Sequence, residues 1–144
     1  MAPAQRWAQA LLALKLLALE PRLGGIALRA RAGPVRDRWS DAMARLPLKP
    51  RKVPLNISDE QLFGGLDLAA TLAAGREVRS AGLLADPSLL VVPMAERMEP
   101  GLAARLSHAL DGDAHCLIAL DEGAEENEGL PTALKDRLAF QVDL

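Results

Sequence analysis

Apolar positions recur at helical spacing from Trp7 to Leu19. Trp7, Leu11 and Leu14 fall on one line and Leu12, Leu16 and Leu19 on a neighbouring one, with Gln9 and Lys15 turned elsewhere. The pattern predicts a helix ended at Glu20-Pro21, because the residue before a proline avoids the α region. Gly24-Gly25 is a turn, and Gly25 to Arg29 (GIALR) is an apolar run of strand length. A second helical run follows Ala30–Asp37 and passes through Trp39, Met43 and Leu46. The prolines and Lys/Arg between Pro47 and Pro54 predict an exposed connection. Ser58 with Gln61 makes a capping-box start for a short helical turn, which Gly64-Gly65 breaks. Asp67 caps a helix over Leu68 to Ala74 that Gly75 closes, Glu77 to Leu84 reads as a small hairpin, and Asp86-Pro87 is a turn.

Leu89 to Val92 (LLVV) is the clearest buried strand. Pro100-Gly101 opens a helix through Leu102, Leu106 and Leu110, with Glu96 and Glu99 at its start. Asp111-Gly112-Asp113 is a turn, Cys116 to Leu120 a further strand, and Asp121 to Gly129 an acidic interaction loop. The spacing of that loop does not fit the Ca²⁺-loop pattern. Pro131 to Leu144 (PTALKDRLAFQVDL) pairs a helix end with a strand and puts Asp136 and Arg137 at the junction. Strands and helices therefore alternate, which predicts an α/β fold: a parallel sheet flanked by helices on both faces.

Half of the 144 residues are apolar, enough for one proper core, and the apolar content is Leu and Ala with almost no aromatics. The near-neutral net charge hides an asymmetry. Against the basic residues from Arg6 to Lys52 stand only Glu20, Asp37 and Asp41 up to Pro54, and acidic residues dominate afterwards. A basic half can meet a nucleic acid, a phosphate ligand or an acidic partner surface. The shortage of aromatics to stack on bases argues against single-stranded nucleic acid. Cys116, the single cysteine, allows no internal disulfide, and its apolar neighbours point to a buried, inert thiol. The run from Ala8 to Leu19 is too short to span a membrane and is interrupted by Lys15, and EPRLGG is not a small-residue cleavage site. The expectation is a cytoplasmic protein without a membrane partner.

Strand, small-residue loop, helix is the layout of a phosphate-binding loop. The working loop is GxxxxGK[ST]: glycines let backbone N–H groups wrap the phosphates, lysine neutralises them, and the hydroxyl holds magnesium. On that template Ala30 and Val35 stand at the two glycines, Arg36 at the lysine and Asp37 at the hydroxyl, while Gly33 remains inside the loop. The architecture survives and the chemistry is removed. Gly33 and Arg36 are the residues still able to meet a phosphate. The LLVV strand, which in a nucleoside triphosphatase ends in Asp-Glu, runs here into Pro93-Met94, and neither residue can hold a magnesium-bound water or polarise an attacking one. His108 has no second histidine near it on its helix, and no metal site is expected. Arg137 is a permanently charged fork on the end of a rigid element, placed to meet a phosphate on a neighbouring subunit; the plainer alternative is a surface arginine paired with Asp136.

NISDEQLFGGLDLAATLAAGR, GLLADPSLLVVPMAERMEPGLAARL and CLIALDEGAEENEGLPTALKDRLAFQVDL, in that order, carry a resemblance to the N-terminal AAA+ module of the magnesium chelatase D subunits of chlorophyll and bacteriochlorophyll biosynthesis. The resemblance implies a P-loop NTPase-like AAA+ core over residues 1–144. The family's lid domain, acidic proline-rich linker and integrin-I-like domain are missing from these residues. It implies a role in the ATP-dependent insertion of Mg²⁺ into protoporphyrin IX, in a ring-type oligomer with the ATPase (I) subunit and linked to the porphyrin-binding (H) subunit. The LKDRL stretch is similar to the family's LLDRF-type motif, so Arg137 inherits the part of an arginine finger acting in trans. ATP and Mg²⁺ are then expected at the shared subunit interface, with none tightly held by this chain. Asp121-Glu122 stands where the active subunit has a sensor asparagine, a further departure that puts hydrolysis by this chain in doubt. Two other readings compete: an ATPase with an atypical loop, and a basic nucleic-acid adaptor, which a steep salt dependence of binding would reveal.

Overall fold

The computed structural model describes residues 2–112, 114–123 and 129–144. The acidic stretch 124–128 and Asp113 lie outside the described residues. Five strands form one sheet in the order β2-β5-β6-β1-β7: β1 is Gly25–Arg29, β2 Pro50–Lys52, β5 Ser88–Val92, β6 His115–Asp121 and β7 Phe140–Asp143. Every pairing in it is parallel. In β6 every residue from Cys116 to Asp121 is buried, as expected of a strand covered on both faces.

Side chains alternate across the sheet and so feed two cores. Ile26 and Leu28 of β1 with Cys116 and Ile118 of β6 face helices α1 (Pro3–Leu19) and α2 (Pro34–Ala44). Leu90 and Val92 of β5 with Leu117 and Ala119 of β6 face α5 (Pro100–Asp111) and the single turn α6 (Thr132–Lys135). The expected three-layer α/β architecture is therefore present. Trp39 of α2 is fully buried and donates its Nε1–H to the Ala10 carbonyl at 2.9 Å, which ties the two helices of the first layer together.

Four local expectations are corrected. In α1 the buried positions are Ala10, Ala13, Leu14 and Leu17, while Leu12, Leu16 and Leu19 face outward; a helix rich in leucine offers two apolar lines, and only one can meet the sheet. Pro50–Lys52, read as a connection, is an edge strand, where proline is tolerated because one side of the backbone has no ladder partner. The hairpin expected over Glu77–Leu84 is wider. Its arms are β3 (Gly64–Leu66) and β4 (Arg79–Ala81), paired antiparallel, with α4 (Leu68–Ala74) between them. Glu96 does not open α5; it sits in a separate 3₁₀ turn, Ala95–Arg97, and is buried. The Ser58–Gln61 capping box does start a helix, α3 (Asp59–Phe63), and Asp67 caps α4 through the Ala70 N–H at 3.0 Å.

Candidate functional site: a phosphate loop without phosphate chemistry

At the carboxyl end of β1 the chain makes a four-residue loop, Ala30 to Gly33, before α2 opens at Pro34. Such crevices at strand ends are where open α/β sheets place ligands. The loop lines a cavity of about 590 Å³ together with Arg6 and Trp7 from α1, Val35 and Arg36 from α2, Glu122 and Gly123 beyond β6, and Leu144. Gly33 and Arg36, the two loop residues singled out in the sequence, thus border one space.

The charges there are already matched. Arg29 at the end of β1 donates to Asp121 Oδ2 at the end of β6, from Nη2 at 2.8 Å and Nε at 3.2 Å. That hydrogen bond, followed by the Coulombic attraction of Asp121, raises the guanidinium's affinity for its proton. Asp121 Oδ1 accepts the Gly123 N–H at 2.7 Å, and the Asp121 carbonyl accepts the Ala30 N–H at 2.8 Å. Arg36 Nη1 donates to Glu122 Oε1 at 3.3 Å, and buried Glu96 accepts the Glu122 N–H at 3.3 Å. β1 and β6 are adjacent, so their carboxyl ends bring Arg29 beside Asp121 in register.

A magnesium triphosphate does not fit these residues. Pro34, at the first helical position, has no N–H to offer. Asp37 supplies a carboxylate where a hydroxyl would hold the metal, and Glu122 faces the Arg36 guanidinium. A Cβ added at Gly33 would meet nothing within 4 Å, so no close approach demands glycine there. After β5, Pro93 is followed by Met94, held at a positive φ of 51° and 47% exposed, and no carboxylate stands at either position. Among the described residues no group of three or more His, Cys, Asp and Glu could hold a metal ion. His108 is exposed on α5.

Arg137 is elsewhere. It lies in the turn between α6 and β7, beside the start of β1, and the length of β1 (roughly 16 Å at about 3.3 Å per residue) separates that end of the sheet from the loop. Its Nε donates to Asp111 Oδ1 at 2.8 Å, Nη2 to Asp111 Oδ2 at 3.4 Å and Nη1 to the Ala133 carbonyl at 2.8 Å. The ion-pair partner is therefore Asp111, at the end of α5, in place of the Asp136 considered from the sequence. The side chain is 38% exposed, so the fork lies at the surface and cannot serve this chain's own cavity. Sequence reasoning missed Glu96, Arg29 and Trp7 as cavity neighbours. The one available signal was the Asp-Glu pair ending an apolar strand, which in a parallel sheet must surface beside the loop after β1.

No protein-family model matches the chain. In shape it resembles the complex between subunits BchI and BchD of magnesium chelatase (TM-score 0.67, 19% identical, 93% of this chain and 58% of that one). It also resembles a candidate ATPase from Cytophaga hutchinsonii (TM-score 0.65, 14% identical, 92% and 45%). Strand order, the helix-flanked parallel sheet and these neighbours define the class: an AAA+-type P-loop core, here with its phosphate-loop residues replaced.

In sequence the chain is 55% identical over 143 residues to the magnesium-chelatase 60 kDa subunit of Cereibacter sphaeroides, and 50% over 135 residues to that of Rhodobacter capsulatus. It is 33% identical over 125 residues to the 67 kDa subunit of Chlorobaculum parvum. The chain belongs with these magnesium-chelatase subunits, as the sequence motifs implied, and spans about a quarter of their length (26% and 24% of the first two). No helix among the described residues is long and apolar enough to cross a membrane.

Proposed function

We propose that these residues form the non-hydrolysing AAA+ core of a magnesium-chelatase D-type subunit. The core assembles with the active ATPase subunit in the cytoplasm, in a ring-type oligomer, and supplies Arg137 to the partner's ATP. It thereby supports ATP-driven insertion of Mg²⁺, the cargo of the reaction, into protoporphyrin IX for chlorophyll or bacteriochlorophyll synthesis, and contributes to the link with the porphyrin-binding subunit.

The observation that carries this reading is the placement of Arg137. A guanidinium at the surface, at the end of the sheet away from its own loop, serves a phosphate only if another subunit brings one. Asp111 holds the fork in position, and an exposed pair of this kind is easily surrendered to a stronger anion. Charge developing on a transferring phosphoryl group is such an anion, and a planar fork meets two of its oxygens at once. The replaced loop supports the division of labour, in which ATP with Mg²⁺ resides in the partner's loop. High identity to the 60 kDa subunits supports the assignment to the chelatase.

The test is ATP hydrolysis by the cognate ATPase subunit, with and without the full-length D subunit, wild type against Arg137→Ala. The expected result is intact assembly with loss of the D-dependent change in turnover. Unchanged turnover would make Arg137 a structural residue of the α6–β7 turn and remove the finger from the reading.

A further inference from the structure

We propose that Glu122 is the residue that closes the cavity to polyphosphate: its carboxylate occupies, from within the chain, the place at Arg36 that a nucleotide phosphate takes in an open loop. The inference rests on reading Ala30–Asp37 as a phosphate loop in origin, and concerns what keeps it empty of nucleotide.

Arg36 stands at the lysine position of the loop and is the cation such a loop aims at a phosphate. In the structure it faces Glu122 Oε1 at 3.3 Å. Its side chain is 21% exposed, so the guanidinium is partly withdrawn from water and most of its compensation must come from that partner. Glu122 is itself held. Its backbone N–H is fixed by buried Glu96, and the preceding Asp121 is locked by Arg29 and by the Gly123 N–H. The carboxylate is thus delivered by a braced strand end, with both neighbouring cations of the loop neutralised in pairs, Arg29 by Asp121 and Arg36 by Glu122. An incoming polyphosphate would have to displace Glu122 and then lie beside it, gaining one charge-assisted contact and suffering one like-charge repulsion. The missing loop groups weaken binding; the internal anion opposes it.

Glu122→Gln removes the charge and keeps the shape at a side chain that is 37% exposed, so the fold is retained. Binding of sodium tripolyphosphate to this chain, without metal, is measured by titration calorimetry for wild type, Glu122→Gln and Arg36→Gln/Glu122→Gln. The expected result is about tenfold tighter binding by Glu122→Gln than by wild type, equivalent to ~1.4 kcal/mol, and loss of that gain in the double variant. Equal binding by wild type and Glu122→Gln overturns the proposal, and so does a gain that survives loss of Arg36. A measurement independent of any variant is the melting temperature of the wild type, which tripolyphosphate should leave unchanged; a rise overturns the proposal. These outcomes involve one chain and one anion, so they are separate from the fate of Arg137 in the assembled enzyme.

Discussion

Arg137 and Asp111 join the α6–β7 turn to the end of α5 through two guanidinium nitrogens, at 2.8 and 3.4 Å. The hydrogen bond from Arg137 holds the Asp111 carboxyl below its ordinary value of 3.8. A carboxyl with a lowered folded pKa contributes stability that is complete above its ordinary value and is lost as pH falls through the folded one. Asp111→Asn should therefore leave the urea midpoint at pH 7 nearly unchanged, since the pair is exposed, and flatten the loss of stability below about pH 4. Urea titrations of both proteins across pH 2–7 check this.

Gly24 determines where Arg137 can sit. Its φ is +91°, and a Cβ added there would fall on the Arg137 carbonyl oxygen. Gly24→Ala should therefore lower stability by more than Arg137→Ala does, because backbone must move instead of a side chain leaving. It should also abolish the D-dependent change in ATPase turnover along with the finger. Paired denaturation and turnover measurements on the two variants separate a displaced Arg137 from an absent one.

The two leucine lines of α1 give a sharp contrast. Leu14 is 1% exposed and Leu12 54%. Leu14→Ala should cost ~2–5 kcal/mol, the usual range for a truncated core leucine. Leu12→Ala should change stability by no more than ~0.5 kcal/mol, as surface substitutions do. Chemical denaturation of the two variants reads the difference directly.

Cys116 is 2% exposed in the middle of the sheet, and burial pushes its thiol up to about 11 from 9.0. Native protein at pH 8 should react with a disulfide reagent far more slowly than protein unfolded in urea. Because the folded pKa is raised, the thiol's contribution to stability is complete below pH 9.0 and falls as pH climbs towards about 11. Cys116→Ala should lose that part of the alkaline decline, at the cost of a small cavity.

The motifs with short-range physics were legible in the chain alone. GIALR, LLVV and the Cys116 run were strands because they are apolar segments of strand length bounded by turn residues. Ser58–Gln61 and Asp67 capped helices because their side chains reach N–H groups only three residues away. The replacement of the loop residues at Val35, Arg36 and Asp37 is a matter of residue type at fixed spacing. Each of these depends on neighbours within a few positions, so sequence alone determined them, along with the parallel α/β class and the resemblance to the chelatase subunits. Tertiary structure decided which leucines of α1 are core, because two lines of one helix compete for one sheet face. It made Pro50–Lys52 a strand, because only docking against β5 supplies the ladder, and it made Gly64–Leu66 the partner of Arg79–Ala81 across a helix. It also chose the partners of the charges. Glu122 lies 86 positions from Arg36 and Asp111 lies 26 from Arg137. Only the strand order, which sets β6 beside β1 and turns their ends the same way, brings the first pair together, and only the packing of α6 on α5 brings the second.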